Sequence, residues 1–491
     1  ALLQSGFDFP QRRITVNLAP ADLPKGSGSF DLPIAIGILA AQARLAPATL
    51  ADIELIGELS LTGELKPVQG ALLLTLAVRR EAPGRALVLP RASATEAAAA
   101  GHAPLLSANS LAEVWAHLLG TAPLPSATHA AAPARAPGQR AQAEGSAALD
   151  LSEVRGQAGA RRALEIAAAG GHALLFIGPP GTGKSMLARR LPGILPPMSD
   201  AEALDAAALH ALALPGWHAG LWGQRPFRAP HHSASAVALI GGGSPPRPGE
   251  VSLAHAGILF LDELGEFRRE ALEVLREPLE TRRASLSRAA RAADYPAAFQ
   301  LVAAMNPCPC GWLGHPALPC RCSPDEVRRY RQRLSGPLLD RIDLTVPMEA
   351  SLPVVPAAAP VALSSDTPGP GALSTGSTGS AAPESSAVVR ARVHSARNTA
   401  LSRQGCANAE LSDAATERYC SLTNDSRALL EKAMQVHHLS ARAVPRLLRV
   451  ARSCADLEGA ASIATPHLSE AIRWRLPLAS AVPTPFEPLP S

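Results

Sequence analysis

The stretch HALLFIGPPGTGKSMLARRL, residues 172–191, constrains this chain more than any other. An apolar run enters the Gly-rich turn Gly178-Pro179-Pro180-Gly181-Thr182-Gly183-Lys184-Ser185, and helix-forming residues follow. The order predicts a strand, a phosphate-binding turn and a helix, the opening of an α/β core. Glycines in such a turn let main-chain N–H groups converge on phosphate oxygens, and the helix N-terminus adds partial positive charge. Lys184 is expected to reach the β- and γ-phosphates of a nucleotide, and Ser185 to bind Mg²⁺. Lysine is scarce here, occurring only at Lys25, Lys66, Lys184 and Lys432, so one placed in a Gly-rich turn is informative.

Two further segments complete the pattern. AGILFLDELGEF predicts a buried strand over Ile258–Leu261 with Asp262 and Glu263 at its tip. Asp262 is expected to hold Mg²⁺ through water and Glu263 to polarise the attacking water. FQLVAAMN, residues 299–306, predicts a third buried strand ending in an amide. Asn306 is expected at the γ-phosphate and the nucleophilic water. The next residues, NPCPCGWLGHPALPCRC, hold Cys308, Cys310, Cys320 and Cys322 in the pattern C-x-C-x₉-C-x-C. Four thiolates can complete a tetrahedral zinc shell. Pro309 and Arg321 inside the pairs restrict that geometry, and free thiols in a packed loop are the other reading. His315 is a substitute ligand or a surface histidine.

A length of 491 residues predicts several domains, and 47% hydrophobic residues supply their cores. The net charge of +4 does not by itself imply nucleic-acid binding. No apolar run reaches the roughly 18 to 20 residues of a membrane span. No signal peptide or disulfide-scaffold spacing is visible, which predicts a reduced, cytoplasmic protein. Ala1 stands in mid-pattern, so the natural N-terminus is expected upstream. Pro/Ala-rich residues 120–148 and Pro/Ser/Gly-rich residues 349–386 are expected to be a linker and a disordered insertion. They delimit an N-terminal α+β block over 1–119, a core over 149–348 containing the Cys-rich loop 308–322, and a helical block over 387–476. In the first block, RRITVNLAP and RALVLP predict strands, while DLPIAIGILAAQARL and PVQGALLLTLAVRRE predict helices. In the last, helices are predicted around residues 426–459 and from Thr465 and Pro466 onward.

Read together, RPFRAPHHSAS, LIGGGSPPRPGEVSLAHAGILFLDELGEF, MNPCPCG, PCRCSP, LSGPLLDRIDL and LSARAVPRLLRVARSCADLEG resemble the YifB/ComM family of magnesium-chelatase ChlI-like AAA+ ATPases. The resemblance runs from Ala1 to about Arg475. It implies an AAA+ P-loop core, a C-terminal helical lid and a hexameric homo-oligomeric ring that hydrolyses ATP with Mg²⁺. For ComM-like members it implies a helicase driving branch migration of DNA in natural transformation. It further implies that Arg341 is a finger reaching the neighbouring subunit's γ-phosphate and that Arg442 is the lid arginine. Fixed guanidinium charge would stabilise the transferring phosphoryl group in both cases. The N-terminal block resembles a Lon-protease-like domain of the ribosomal S5 domain 2 type. Asp31 and Leu72 stand where the resemblance would place a nucleophilic Ser and its Lys, so proteolysis is not expected.

Two basic segments are candidates for contact with the DNA backbone. One carries Arg225, Arg228, His231 and His232; the other is a predicted hairpin with Arg282, Arg283, Arg288 and Arg291. The alternative role is a chelatase-type ATPase acting on a partner protein. This chain lacks the D-x-S-x-S motif, so that partner would have to be separate. A transcription-activating ATPase would need a GAFTGA loop, which is absent.

Overall fold

The computed structural model describes residues 1–18, 28–43, 45–101, 104–127, 149–213, 221–243, 246–288, 291–349, 383–436 and 443–475. The chain divides into two compact units, one from the described parts of 1–144 with 198–224, the other from those of 145–197 with 225–491.

The first unit holds strands β1 (Ile53–Leu55), β2 (Glu58–Leu59), β3 (Leu65–Lys66), β4 (Ala86–Pro90) and β5 (Leu105–Ala108). β1, β4 and β5 form a parallel sheet in that order, and β2 pairs antiparallel with β3. Helix Asp31–Ala43 buries Leu32, Ala35, Ile36, Leu39 and Ala40, one stripe at helical spacing. RALVLP and both expected helices are present. RRITVNLAP forms no strand over its described residues, and Arg12–Asn17 are exposed. A β-prone sequence becomes a strand only where a neighbouring edge receives its hydrogen bonds. Two boundaries also shift. Residues 120–127, expected to start a linker, dock on the edge of β5: Ala127 N donates to Leu105 O at 2.7 Å, and Leu124 is buried. Residues 198–224, expected in the core, group with this unit, where Leu204, Ala207 and Trp222 pack with Leu72, Leu76 and Ala100.

The second unit contains β6 (Leu174–Ile177), β7 (Phe227–Arg228), β8 (Gly241–Gly242), β9 (Arg247–Pro248), β10 (Ile258–Leu261), β11 (Arg283–Arg288), β12 (Arg291–Pro296), β13 (Gln300–Met305) and β14 (Leu344–Pro347). Five of them form a wholly parallel sheet in the order β14-β6-β13-β10-β7. Side chains alternate across it. Phe176, Phe260, Val302 and Val346 enter one core with helix Ala158–Gly170 and the C-terminal helices, while Leu175, Ile177, Leu259 and Met305 enter the other. That double burial is why these strands read as unbroken apolar runs. The C-terminal segment is helical at Ser386–Gln404, Asp413–Tyr419, Asn424–Val436, Ala443–Leu457 and Thr465–Arg475. The expected hairpin is β11–β12, with Arg288 opposite Arg291. Among the described residues, no helix is long and apolar enough to cross a membrane.

Candidate active site

Ligand sites in parallel α/β sheets form at the carboxyl ends of the strands, because loops leaving neighbouring strands converge there. β6, β10 and β13 lie side by side, so the turn after Ile177, the acids after Leu261 and the amide after Met305 meet. Gly181 and Gly183 take left-handed backbone angles, φ +78° and +90°, which shape the turn between strand and helix. Lys184 is buried, and its Nζ donates to Gly178 O at 2.6 Å, Pro179 O at 2.8 Å and Asn306 Oδ1 at 3.2 Å. Burial pushes its ammonium down to about 8, against the pull of Asp262 and Glu263. Ser185 Oγ donates to Asp262 Oδ2 at 2.7 Å. Thr182 Oγ1 closes the turn on Pro179 O at 2.9 Å. The cluster thus sets one buried cation, one hydroxyl and two carboxylates around an open, exposed turn at Pro180 and Gly181. A triphosphate with its divalent cation needs that donor and acceptor set.

Glu263 sits at φ +52°, and its backbone N–H donates to Asp262 Oδ1 at 3.0 Å. Its Oε2 lies 3.0 Å from His232 Nδ1. His232, read from sequence as a DNA-contact candidate, therefore belongs to the carboxylate cluster. No linear pattern marks this pairing. It arises because β7 is the neighbour of β10, so the turn following β7 lies beside the turn following β10. Tyr330 is a second residue the sequence did not reveal. It is buried, burial lifts its phenol to about 12, and its oxygen accepts the backbone N–H of Asn306. Its ring also packs so closely on Gly265 that a Cβ there would lie 2.5 Å from Cζ.

Arg341 lies apart from this cluster. It precedes β14, whose Leu344 is level with Leu174 at the start of β6, whereas the Gly-rich turn follows the end of β6. About 13 Å of strand separate the two levels. Its guanidinium donates to Pro337 O at 2.6 Å and pairs with Glu280, while Nε is buried without a partner. It lines a cavity of about 290 Å³ together with Arg282, Asp343, Arg446 and Arg449. Arg442 lies outside the described residues.

The basic segments are reassigned in part. Arg225 donates to Pro196 O, Ala256 O and Pro197 O at 2.6, 2.6 and 3.2 Å, and Arg228 forms a two-pronged pair with Glu250 at 2.7 and 2.8 Å. Both hold the fold together and are not spare for an outside ligand. Arg282 and Arg283, expected with Arg288 and Arg291 close to the hairpin tip, stand at its base, where Arg282 pairs with Glu410 at 2.6 Å and Arg283 with Asp294. Arg288 and Arg291 stand at the hairpin end, with their side chains outside the described set.

The four cysteines converge. Cys308, Cys310 and Cys320 have sulfurs 3.4 and 3.6 Å apart, and all four sulfurs lie within 4.8 Å of one another. Desolvation pushes Cys308 up to about 12, while for Cys310 it is outweighed by the N–H groups of Trp312 and Arg321, which hold that thiol at about 6. Such a group could hold a metal ion.

Comparison with known proteins agrees with this geometry. Residues 150–353 match the family model for magnesium chelatase, subunit ChlI; residues 383–475 match its C-terminal model, and residues 1–93 that for subunit ChlI of Mg-chelatase. The chain is 45% identical over 476 residues to competence protein ComM of Haemophilus influenzae, covering 97% of this chain and 88% of that one. It is 45% identical to YifB of Salmonella typhimurium and 44% identical to YifB of Escherichia coli, covering 97% of this chain and 87% of each relative. Similarity at this level over 97% of the chain, with a nucleotide-type cluster at the ends of a parallel sheet, places the chain in the YifB/ComM family of magnesium-chelatase ChlI-like AAA+ ATPases.

Proposed function

We propose that this protein is a ring-forming, ATP-driven motor that remodels DNA, in the manner of a branch-migration helicase. ATPase activity with ATP and Mg²⁺ is what membership of the family implies. In this reading Lys184 and the main-chain amides of 178–185 grip the β- and γ-phosphates. Ser185 and Asp262 hold the Mg²⁺, which neutralises charge on the phosphates. Glu263 polarises the attacking water and Asn306 holds it against the γ-phosphate. Arg341, and Arg442 from the lid, supply charge at the transferring phosphoryl group. The Lon-protease-like N-terminal block and the helical lid belong to the same reading, as do the hexameric state and the cytoplasmic location. Zinc is the cation proposed for the four thiols.

The placement of Arg341 carries the reading. A finger at the opposite level of the sheet cannot serve its own site, so the reaction is completed only where one subunit faces the next. The name of the Haemophilus relative, a competence protein, supports DNA as the substrate. Backbone contact is proposed at Arg288 and Arg291, which stand at the hairpin end. The deciding experiment measures ATP turnover with single-stranded, duplex, forked and four-way DNA at two salt concentrations. Stimulation by branched DNA that fades with salt is expected. An assembled, active ATPase indifferent to every DNA form would refute the motor reading.

A further inference from the structure

The four-cysteine cluster is built into the same loop that leaves Asn306, and the loop touches the phosphate-binding turn. Cys308 follows Asn306 by two residues. Gly311, at φ +84°, lies so near Pro180 that a Cβ on it would stand 2.8 Å from Pro180 Cδ and 3.8 Å from Asn306 Cγ. Only a residue without a side chain allows that approach and that backbone angle together. Downstream, Ser323 caps helix Pro324–Gln332 in a reciprocal box with Glu326. The helix carries Tyr330, which takes the Asn306 backbone N–H. Both ends of the cysteine loop are therefore tied to the hydrolytic side of the nucleotide site.

The donor set fits zinc. Four thiolates at bonds of about 2.3 Å around a tetrahedral ion stand about 3.8 Å apart, close to the sulfur separations of 3.4 and 3.6 Å. Backbone amides already point at the sulfurs: Cys310 N lies 3.4 Å from Cys322 Sγ, and N–H groups of Leu313, Trp312 and Arg321 face Cys308 and Cys310. Amides so aimed stabilise thiolate, the metal-binding form. A zinc ion with four thiolates carries two negative charges. Arg331, within electrostatic reach of Cys308, has Nε and Nη2 buried and without a hydrogen-bond partner. Two guanidinium nitrogens buried without partners are costly, and an anionic centre at Cys308 would compensate them.

We propose that Cys308, Cys310, Cys320 and Cys322 bind one zinc ion that positions Asn306 for hydrolysis, so that zinc occupancy governs ATP turnover more than nucleotide binding. The link to turnover rests on the ATPase reading above; the metal site does not. The ion acts through the loop: it fixes the peptide from 306 to 322, and the loop fixes the amide and braces Pro180. These cysteines are positioning residues and touch no reacting atom.

The test uses the full chain, purified with reductant, its metal content measured by mass spectrometry. One zinc per chain is expected, and cobalt replacement should give the absorption of a tetrahedral four-thiolate centre. A zinc-selective chelator should then lower kcat at least about tenfold. The Kd for a non-hydrolysable ATP analogue should move less than about threefold, and added zinc, but not calcium, should restore kcat. A chain that takes up no zinc even on reconstitution overturns the proposal, as does a stripped chain that turns over ATP at the loaded rate. If the zinc-loaded chain shows no ATP turnover, the ATPase reading fails, and amide hydrogen exchange decides the metal's role. Faster exchange at 306–322 after stripping supports it, and unchanged exchange there overturns it. The stripping and restoration are done on one polypeptide, so the result does not depend on whether cysteine variants fold.

Discussion

Lys184 is the residue whose environment makes the sharpest claim. Its folded pKa, about 8, lies below the ordinary lysine value of 10.5 because burial disfavours the ammonium. In the proposed role the charged form binds triphosphate, so raising the pH through 8 removes the cation before ATP arrives, and binding must then take up a proton. From pH 7 to pH 9, the affinity of nucleotide-free protein for ATP should weaken by about tenfold, as binding-competent protein falls to about a tenth. Titration calorimetry in buffers of different ionisation enthalpy would measure both the weakening and the proton uptake. A pH-independent Kd would contradict the placement of Lys184. Glu263→Gln is expected to keep ATP affinity while kcat falls by about two orders of magnitude or more, because the amide no longer polarises water. Single-turnover measurements after rapid mixing separate the two. At this scale the Gly-rich turn, the acids and Asn306 could be read from the chain, since each follows directly on a legible apolar strand. His232 and Tyr330 could not, since their partners come from elements distant in sequence. Arg225 and Arg228 looked like spare charge until their carbonyl and carboxylate partners were known.

Among the elements, the C-terminal helices are held by a buried polar network. Arg403, on helix Ser386–Gln404, makes two bonds to Asp456, at 2.7 and 2.9 Å. Asp456 also accepts from Asn408 at 2.8 Å and from Arg452 at 3.1 Å, and Arg452 is 1% exposed. Removing the carboxylate takes its charged partner from Arg452, which is buried, and from Arg403, which is partly exposed. Asp456→Ala should therefore destabilise the helical segment by about 3–5 kcal/mol, seen as a lower denaturant midpoint. A change under about 0.5 kcal/mol would mean that water replaces the carboxylate. The β11–β12 hairpin makes the opposite kind of prediction. Arg288→Ala with Arg291→Ala should leave basal ATP turnover near normal, remove DNA stimulation and flatten the salt dependence of DNA binding. Anisotropy with labelled forked DNA reads the last of these. The helical periodicity around residues 426–459 and the turn between two arginine-rich runs made these elements legible. RRITVNLAP shows the limit: its alternation is strand-like, but its described residues pair with no strand.

For the whole molecule, the separation of Arg341 from the Gly-rich turn turns a residue assignment into a statement about assembly. Arg341→Ala keeps an intact nucleotide cluster and lacks the finger, whereas Lys184→Ala keeps the finger and lacks the grip. Each alone should lose turnover. Mixed in equal amounts, random rings place an intact grip against an intact finger at about a quarter of interfaces, so roughly a quarter of wild-type rate should return. No recovery on mixing, with rings shown to form by light scattering, would mean that the finger is not shared. What the sequence determined alone was the chemistry strung along neighbouring strands: a Gly-rich turn, a pair of acids, an amide and four thiols, each specified by residues close together in the chain. Only the tertiary structure decided which of these meet, because strand order in a parallel sheet is fixed by how the covering helices bury both faces. It set β6, β13 and β10 side by side, left Arg341 at the far level, brought His232 to Glu263, and laid the cysteine loop against Pro180.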